Sequence, residues 1–131
     1  MAAGDHDWYV LEISSFQLDG TKKFHPHIGI LLNITPDHLD RYDHKMANYV
    51  NSKFRLIKNM TSKDYFVYFL DDKVSGEEAR QRSTEAYRVE ISLDHEAITS
   101  AHYDGKKMVF QFGKKKFKIA QSETTLKGVH N

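Results

Sequence analysis

The stretch IGILLNITPDHLDRY, residues 28–42, is a short apolar run that ends abruptly in a proline and charged side chains. The run is too short to span a membrane and rich in branched residues, which predicts a buried parallel strand. His38 follows this strand. Because open α/β sheets place their ligands at the carboxyl ends of the strands, we expect chemistry at this edge of the sheet.

A second stretch of the same form precedes the first. Residues 8–13, WYVLEI, predict another largely buried strand, with Glu12 near its end. If the two strands lie in one sheet, Glu12 and His38 come together as potential metal ligands. The alternative is that Glu12 is simply solvated and His38 is an ordinary turn residue. The spacing alone leaves both interpretations open.

Residues 44–60, HKMANYVNSKFRLIKNM, predict an amphipathic helix with Asp43 as its cap. The apolar stripe consists of Met46, Tyr49, Val50, Phe54, Ile57 and Met60. Lys53 falls within this stripe and not on the polar face. Either its ammonium group extends to the rim of the stripe, or burial favours a neutral amine. A neutral amine can bind a phosphate, or take up carbon dioxide to form a carbamate whose oxygens suit Mg²⁺.

The rest of the sequence predicts further strands of the same sheet. Residues 65–70, YFVYFL, and 87–93, YRVEISL, are typical of strands. The Asp104-Gly105 turn, flanked by alternating apolar residues, predicts an antiparallel hairpin. The expected fold class is therefore α/β and three-layer, with a mainly parallel sheet and an antiparallel β extension.

Two other pairs of side chains have the chemistry of metal ligands. Asp71 and Asp72 follow a predicted strand, and we interpret them as caps of the next helix in preference to a magnesium site. His25 and His27 flank a proline, and the sequence near them shows no third ligand. We interpret these histidines as residues that begin the strand.

Composition limits the classes of function. The chain has 131 residues, which suits one domain, and a formal net charge of +1, which gives no general attraction to nucleic acid or anionic membranes. It contains no cysteine, which excludes a disulfide framework and a thiol nucleophile. The sequence has no signal-peptide pattern and no apolar segment long enough for membrane insertion. We therefore expect a cytoplasmic protein without a nucleic-acid partner.

Four ordered stretches resemble one known family. They are LEISSFQL at 11–18, NITPDHLDRY at 33–42, NSKFRL at 51–56 and LKGVHN at 126–131. They are similar to the central domain of the Mur ligases, and the resemblance covers residues 8–131. Within the family, SSFQ followed by DHLDRY favours the member that adds D-glutamate to UDP-N-acetylmuramoyl-L-alanine in peptidoglycan synthesis. The resemblance implies that ATP phosphorylates the substrate carboxylate and that the D-glutamate amine attacks the acyl phosphate.

The resemblance also implies a metal site. Glu12 resembles a glutamate that holds one magnesium ion, and His38 resembles a histidine on a second magnesium ion. Lys53 resembles the lysine that is carbamylated and helps to position the second ion. Catalytic roles are therefore expected for His38 and Lys53, and the expected cofactors are two Mg²⁺ ions, with ATP as co-substrate.

The remaining expected site residues contact the organic ligands. Ser14 and Gln17 match family positions that lie along the muramoyl substrate and its phosphate side. Asn131 matches the first asparagine of the family's HN motif, on the adenine side of the nucleotide pocket. The implied partners are UDP-N-acetylmuramoyl-L-alanine, D-glutamate and ATP.

The family's phosphate loop, of the form GxxxxGK[ST], does not occur in this sequence. Residues 8–131 are therefore predicted to be a partial central domain of P-loop type that lacks the phosphate loop and the carboxyl-terminal domain. Residues 1–7 are interpreted as linker or cloning-derived sequence. We expect the fragment alone to be inactive and to self-associate through the apolar surface left by truncation.

Three alternative functions stay open. One is a sister Mur-type ligase that adds another amino acid. Another is a metal-dependent phosphohydrolase that uses Glu12 and His38. The third is a non-catalytic interaction module in which Lys53 is structural.

Overall fold

A computed structural model describes residues 6–93 and 100–123. Six strands in these residues form one sheet in sequence order: Ile28–Leu31 (β1), Tyr65–Phe69 (β2), Tyr87–Ser92 (β3), Ala101–Tyr103 (β4), Lys107–Phe112 (β5) and Lys115–Ala120 (β6). Strands β1 to β4 pair in parallel, and β5 and β6 continue the sheet in antiparallel fashion. This confirms the predicted α/β class with a mainly parallel sheet and an antiparallel extension.

One α-helix precedes β1, and one lies in each of the connections β1–β2 and β2–β3. They are Ser15–Asp19 (α1), Met46–Lys53 (α2) and Lys73–Gln81 (α3), with 3₁₀ helices at Leu39–Tyr42, Phe54–Ile57 and Gln121–Glu123. The helix predicted over residues 44–60 is therefore shorter, because its second half winds as a 3₁₀ turn. The predicted cap at Asp43 is wrong. Asp43 and His44 both have positive φ, so a left-handed turn delays the helix and Lys45 becomes its N-cap.

The hydrophobic core lies between one face of the sheet and the apolar stripe of α2 and its 3₁₀ extension. The stripe residues Tyr49, Val50, Phe54, Ile57 and Met60 are buried. They pack with Phe66 and Tyr68 of β2, whose rings stack with centroids 5.2 Å apart. The predicted helical stripe thus packs on the sheet as expected, with Met46 only partly buried.

A glycine in β1 allows the close approach of this layer. A Cβ atom at Gly29 would lie 3.2 Å from the side chains of both Leu56 and Met60. The missing side chain therefore lets the 3₁₀ turn pack directly on the strand.

The opposite face of the sheet is open in the described residues. Ile28, Ile30, Tyr65 and Tyr87 alternate with the core residues and point away from the helices. All of them are exposed, and Ile30 retains 57% of its accessible surface. The run from residue 28, predicted to be a buried parallel strand, is thus a parallel strand that is buried on one face only in the described residues. The described helices form a single layer on the Leu31 and Phe66 face.

The strand predicted over residues 8–13 is wrong. These residues form no helix or strand, and Val10 is 98% exposed. A strand needs a neighbour that offers backbone hydrogen bonds, and the described sheet pairs β1 on one side only, with β2. The segment instead runs beside the start of β1, where the Trp8 ring lies 5.9 Å from the His27 ring.

The predicted strands at 65–70 and 87–93 and the helix between them are confirmed. Asp72 is the N-cap of α3 and accepts a hydrogen bond from Ser75 N at 2.9 Å. Its carboxylate also accepts from Ile34 N at 3.2 Å, which links the loop after β1 to the start of α3. Asp71 accepts from Leu93 N at 2.7 Å. The capping interpretation is thereby confirmed for Asp72.

The predicted hairpin is also confirmed. Gly105, at the turn between β4 and β5, has a φ of 89°, and Gly113, between β5 and β6, has a φ of 59°. Both values lie in the left-handed region that glycine tolerates best. Across the part of the chain covered by residues 6–93 and 100–123, no helix is both long and apolar enough to cross a membrane.

Candidate active site

His38 lies in the loop that follows the carboxyl end of β1, as the sequence predicted. Its backbone is left-handed (φ 48°, ψ 32°), and it precedes the 3₁₀ helix Leu39–Tyr42. The side chain is 58% exposed, with Nε2 3.4 Å from an oxygen of Asp37. Its ring meets the edge of the Phe16 ring at 5.2 Å. An exposed imidazole at this edge can take a ligand without rearrangement of the core.

Ser14 and Gln17 stand at the start of α1 and bind each other. Ser14 Oγ accepts from Gln17 N at 3.3 Å, and Gln17 Oε1 accepts from Ser14 N at 2.8 Å. This reciprocal arrangement is a capping box, which satisfies two backbone donors at the helix start. Helix capping therefore gives both residues a local role. Their contact with a substrate stays a prediction.

Glu12 lies two residues before Ser14, and its side chain is exposed. The sequence predicted that Glu12 ends a strand, but the structure places it in the irregular segment before α1. Its carboxylate is open to solvent and is not fixed by a sheet. The prediction that Glu12 and His38 lie at the ends of neighbouring strands is therefore wrong, because Glu12 does not belong to a strand.

Lys53 is the last residue of α2. Its side chain is partly buried, and Nζ lies 5.2 Å from the centroid of the Tyr49 ring. This is a cation–π contact, of a kind worth about 0.5–1 kcal/mol at exposed sites. The prediction that Lys53 lies within the apolar stripe agrees with this position. Formation of a carbamate stays a prediction.

Tyr42 and Ser52 hold the three site elements together. The Tyr42 hydroxyl lies 3.1 Å from Asp19 Oδ2 and 3.2 Å from Ser52 Oγ. Ser52 Oγ donates to Ser15 O at 2.8 Å. The Phe16 ring stacks on Tyr42 with centroids 6.0 Å apart. These contacts fix α1, the 3₁₀ helix after His38 and α2 relative to one another.

Tyr42 was not among the site residues predicted from the sequence. Tyr42 closes the DHLDRY stretch, and a buried tyrosine hydroxyl nearly always has a partner. Its partners are 10 and 23 residues away in sequence, so their identity required the fold. Arg41, its neighbour, lies over the other aromatic ring of the cluster, with its guanidinium carbon 4.5 Å from the Phe16 centroid.

The residues present fit magnesium by chemistry but do not form a complete cage. Glu12 offers exposed carboxylate oxygens, and His38 offers an exposed imidazole. In residues 6–93 and 100–123, no three His, Asp or Glu side chains are grouped so that they could hold a metal ion. Mg²⁺ usually keeps several waters and combines one or two carboxylates with substrate phosphates, so an incomplete protein shell is compatible with it.

Asn131 lies outside the described residues, as does the LKGVHN stretch that contains it. Its proposed contact with the adenine side of a nucleotide therefore stays a prediction.

A separate polar cluster forms at the opposite end of the strands. Asp64 Oδ2 lies 2.6 Å from His25 Nε2, and Asp64 Oδ1 lies 3.1 Å from His27 Nδ1. Thr61 N and Oγ1 also donate to Asp64, at 2.7 and 2.8 Å. These hydrogen bonds, that of His25 most strongly, hold the pKa of Asp64 far below its usual range. The sequence missed Asp64 because it lies 37 to 39 residues from its histidine partners.

Two shallow concave surfaces lie away from these residues. One, of about 310 Å³, is lined by residues that include Phe54, Arg55 and Arg82. The other, of about 620 Å³, lies on the hairpin around Phe110 and Phe117. Neither of them includes a predicted site residue, so the candidate site is an open edge of the sheet and not one of these pockets.

The chain is similar in sequence to one protein family and to several named ligases. The Mur ligase middle domain family matches residues 1–131. A UDP-N-acetylmuramoylalanine–D-glutamate ligase from Christiangramia forsetii is 46% identical over 126 residues, which cover 96% of this chain and 28% of that protein. The ligase of the same name from Bacteroides fragilis strain YCH46 is 40% identical over 131 residues, covering 100% of this chain and 29% of the relative.

A more distant relative has the same name. The UDP-N-acetylmuramoylalanine–D-glutamate ligase of Syntrophotalea carbinolica is 38% identical over 130 residues, covering 97% of this chain and 28% of that protein. The chain thus spans between 28% and 29% of the length of these curated relatives.

Proposed function

Because the chain belongs to the Mur ligase middle-domain family, we propose that it is part of an ATP-dependent ligase that adds D-glutamate to UDP-N-acetylmuramoyl-L-alanine. The observation that carries this proposal is the 46% identity, over 96% of the chain, to a ligase named for that reaction. The relatives from two other genera carry the same name. The product would serve peptidoglycan synthesis, and we place the reaction in the cytoplasm.

The proposed reaction has two steps. The substrate carboxylate attacks the γ-phosphorus of ATP, which forms an acyl phosphate and releases ADP. The D-glutamate amine then attacks the acyl carbon and loses a proton, and the amide forms as phosphate leaves. The phosphoryl group transferred in the first step and the phosphate that leaves in the second are anionic, so catalysis depends on positive charge and on positioning.

The residues of this chain have distinct proposed tasks. Glu12 and His38 would hold two magnesium ions together with Lys53, whose amine would add to carbon dioxide and lose a proton to become a carbamate. When bound, the magnesium ions would neutralise charge on the transferring phosphoryl group. His38 is supported as a ligand by its exposure at the carboxyl edge of the sheet. Lys53 is supported by its partial burial at the end of α2.

Ser14 and Gln17 would contact the muramoyl substrate. The capping box uses Gln17 Oε1 and the Ser14 backbone and hydroxyl. It does not use Gln17 Nε2, so this group can donate to a substrate oxygen while the helix start stays capped. Asn131 would lie on the adenine side of ATP.

The test uses the full-length protein that contains this chain. Phosphate release from ATP is measured with UDP-N-acetylmuramoyl-L-alanine and Mg²⁺, with and without D-glutamate, and the product is identified by mass. We expect release only with D-glutamate, a strong loss in Lys53→Ala and near-normal activity in Lys58→Ala. Lys58 is the matched control because it is an exposed lysine five residues further along. The chain of residues 1–131 alone is expected to be inactive.

Other outcomes would refute the proposal and identify its replacement. Phosphate release without any amino acid would indicate a phosphohydrolase. Release that requires a different amino acid would indicate a sister ligase. If Lys53→Ala and Lys58→Ala were equally active, the role given to Lys53 would be wrong.

A further inference from the structure

The connection between α1 and β1, residues 20–27, forms no helix or strand, yet three of its carbonyl groups accept hydrogen bonds from side chains. Arg55 Nε donates to Leu18 O at 2.8 Å, and Arg55 Nη2 donates to Thr21 O at 2.6 Å. Asn59 Nδ2 donates to Lys22 O at 3.1 Å and to Phe24 O at 2.8 Å. Two side chains of one short stretch therefore satisfy four backbone oxygens of this region.

The Arg55 contact is suited to fixing the end of a helix. Leu18 belongs to the last turn of α1, and Thr21 lies just beyond the end of that helix. A guanidinium group is planar and donates in a fixed fork, so two simultaneous contacts fix orientation as well as distance. Since α1 has only five residues, few hydrogen bonds of its own hold it, and its placement depends on such outside contacts.

The other end of α1 is held from the same element. Ser52 Oγ donates to Ser15 O at 2.8 Å. Ser52, Arg55 and Asn59 are spaced by three and four residues and lie in α2, its 3₁₀ extension and the turn that follows, and all three donate to the α1 region. Ser52 and Arg55, on either side of Lys53 in sequence, thus form hydrogen bonds with the first and the last turn of α1. The helix that begins with the Ser14 capping box is thus attached to the helix that ends in Lys53.

We propose that Arg55, assisted by Asn59, is a positioning residue for the muramoyl-substrate side of the site. It acts through α1, because its donors hold Leu18 O in the last turn of this helix and Thr21 O just beyond it, and so set the placement of Ser14 and Gln17. The inference rests on the proposed function for its catalytic consequence. The attachment of α1 is a separate, structural consequence.

The test uses the full-length ligase with Arg55→Ala, Arg55→Lys and the control Lys58→Ala. Loss of the two charged hydrogen bonds, one to the last turn of α1 and one to the residue just beyond it, should raise the KM for UDP-N-acetylmuramoyl-L-alanine about 10-fold, with kcat and the KM for ATP changed by less than about 3-fold. Arg55→Lys should recover part of the loss, because an ammonium can reach one carbonyl but lacks the fork. Lys58→Ala should match the wild type.

Hydrogen exchange provides a readout independent of turnover. In Arg55→Ala, backbone amides of α1 should exchange about 10-fold faster, while those of β2 keep the wild-type rate. A merely structural role in global stability would accelerate α1 and β2 together.

Three results would overturn the inference. They are an unchanged KM for the muramoyl substrate in an active enzyme, unchanged exchange in α1, and equal acceleration of exchange in α1 and β2. Failure of the proposed function would look different. The wild type itself would then release phosphate without D-glutamate, or not at all, whatever exchange the Arg55 variants show.

Discussion

Replacing Phe66 by alanine tests whether the core lies on the helical face of the sheet. The Phe66 side chain is 0% exposed. Its ring stacks on Tyr68 at 5.2 Å and meets the edge of Phe54 at 6.2 Å. Truncation of a buried phenylalanine costs about 3–5 kcal/mol, because burial is lost and a cavity remains. Since domains are stable by roughly 5–15 kcal/mol, this is a large share of the total.

The assay is urea unfolding of the 131-residue chain followed by circular dichroism. With a slope of about 1–3 kcal/mol per molar urea, the unfolding midpoint of Phe66→Ala should fall by at least about 1 M. Phe117→Ala is the matched control, since its ring lies on the hairpin and is 54% exposed. We expect that control to lose about 1 kcal/mol or less. Equal losses in the two variants would contradict a core confined to the helical face.

Three further outcomes are expected. Burial, and next the hydrogen bond to Glu90, raise the pKa of Tyr68 to about 12, so an ultraviolet titration should show one late tyrosine that disappears in Tyr68→Phe. Because hydrogen bonds, chiefly from His25, lower the pKa of Asp64 in the folded state, its stabilising effect is present above the ordinary aspartate pKa of about 3.9 and is lost as the pH falls below it. Asp64→Asn should therefore flatten the acid limb of a stability profile, and an unchanged limb would rule out this linkage. The chain should self-associate through its open sheet face, and Ile30→Lys should shift sedimentation toward monomer.

The elements that the sequence predicted well are those with local signals. The strand at 65–70 is a continuous apolar run, Asp72 stands where a helix cap belongs, and Gly105 marks its turn. The strand predicted at residues 8–13 failed because composition reports the tendency to be buried but not the presence of a pairing neighbour. The helix predicted over 44–60 is shorter because Asp43 and His44 adopt a left-handed turn before it and Phe54–Ile57 forms a 3₁₀ helix, and the apolar period specifies neither feature.

The candidate site also has features that the sequence predicted and features that it did not. The positions of His38 after β1 and of Lys53 in the apolar stripe follow from period and order along the chain. The links that assemble the site do not, since Tyr42, Ser52 and Arg55 each bind partners that are distant in sequence. Local patterns specify which face a side chain occupies. They do not specify which backbone oxygen of another element it meets.

Because His38 has a left-handed backbone, substitutions there can change folding stability and ligand chemistry independently. Histidine, asparagine and aspartate adopt this conformation far more readily than β-branched residues, for which it costs about 1–2 kcal/mol. His38→Asn therefore removes the imidazole and keeps the turn, whereas His38→Val removes the imidazole and strains the turn. Ranked by folding stability, substitutions at position 38 should follow left-handed preference. Ranked by turnover, they should follow the ability of the new side chain to act as a ligand. The order of the substitutions by stability should therefore differ from their order by activity.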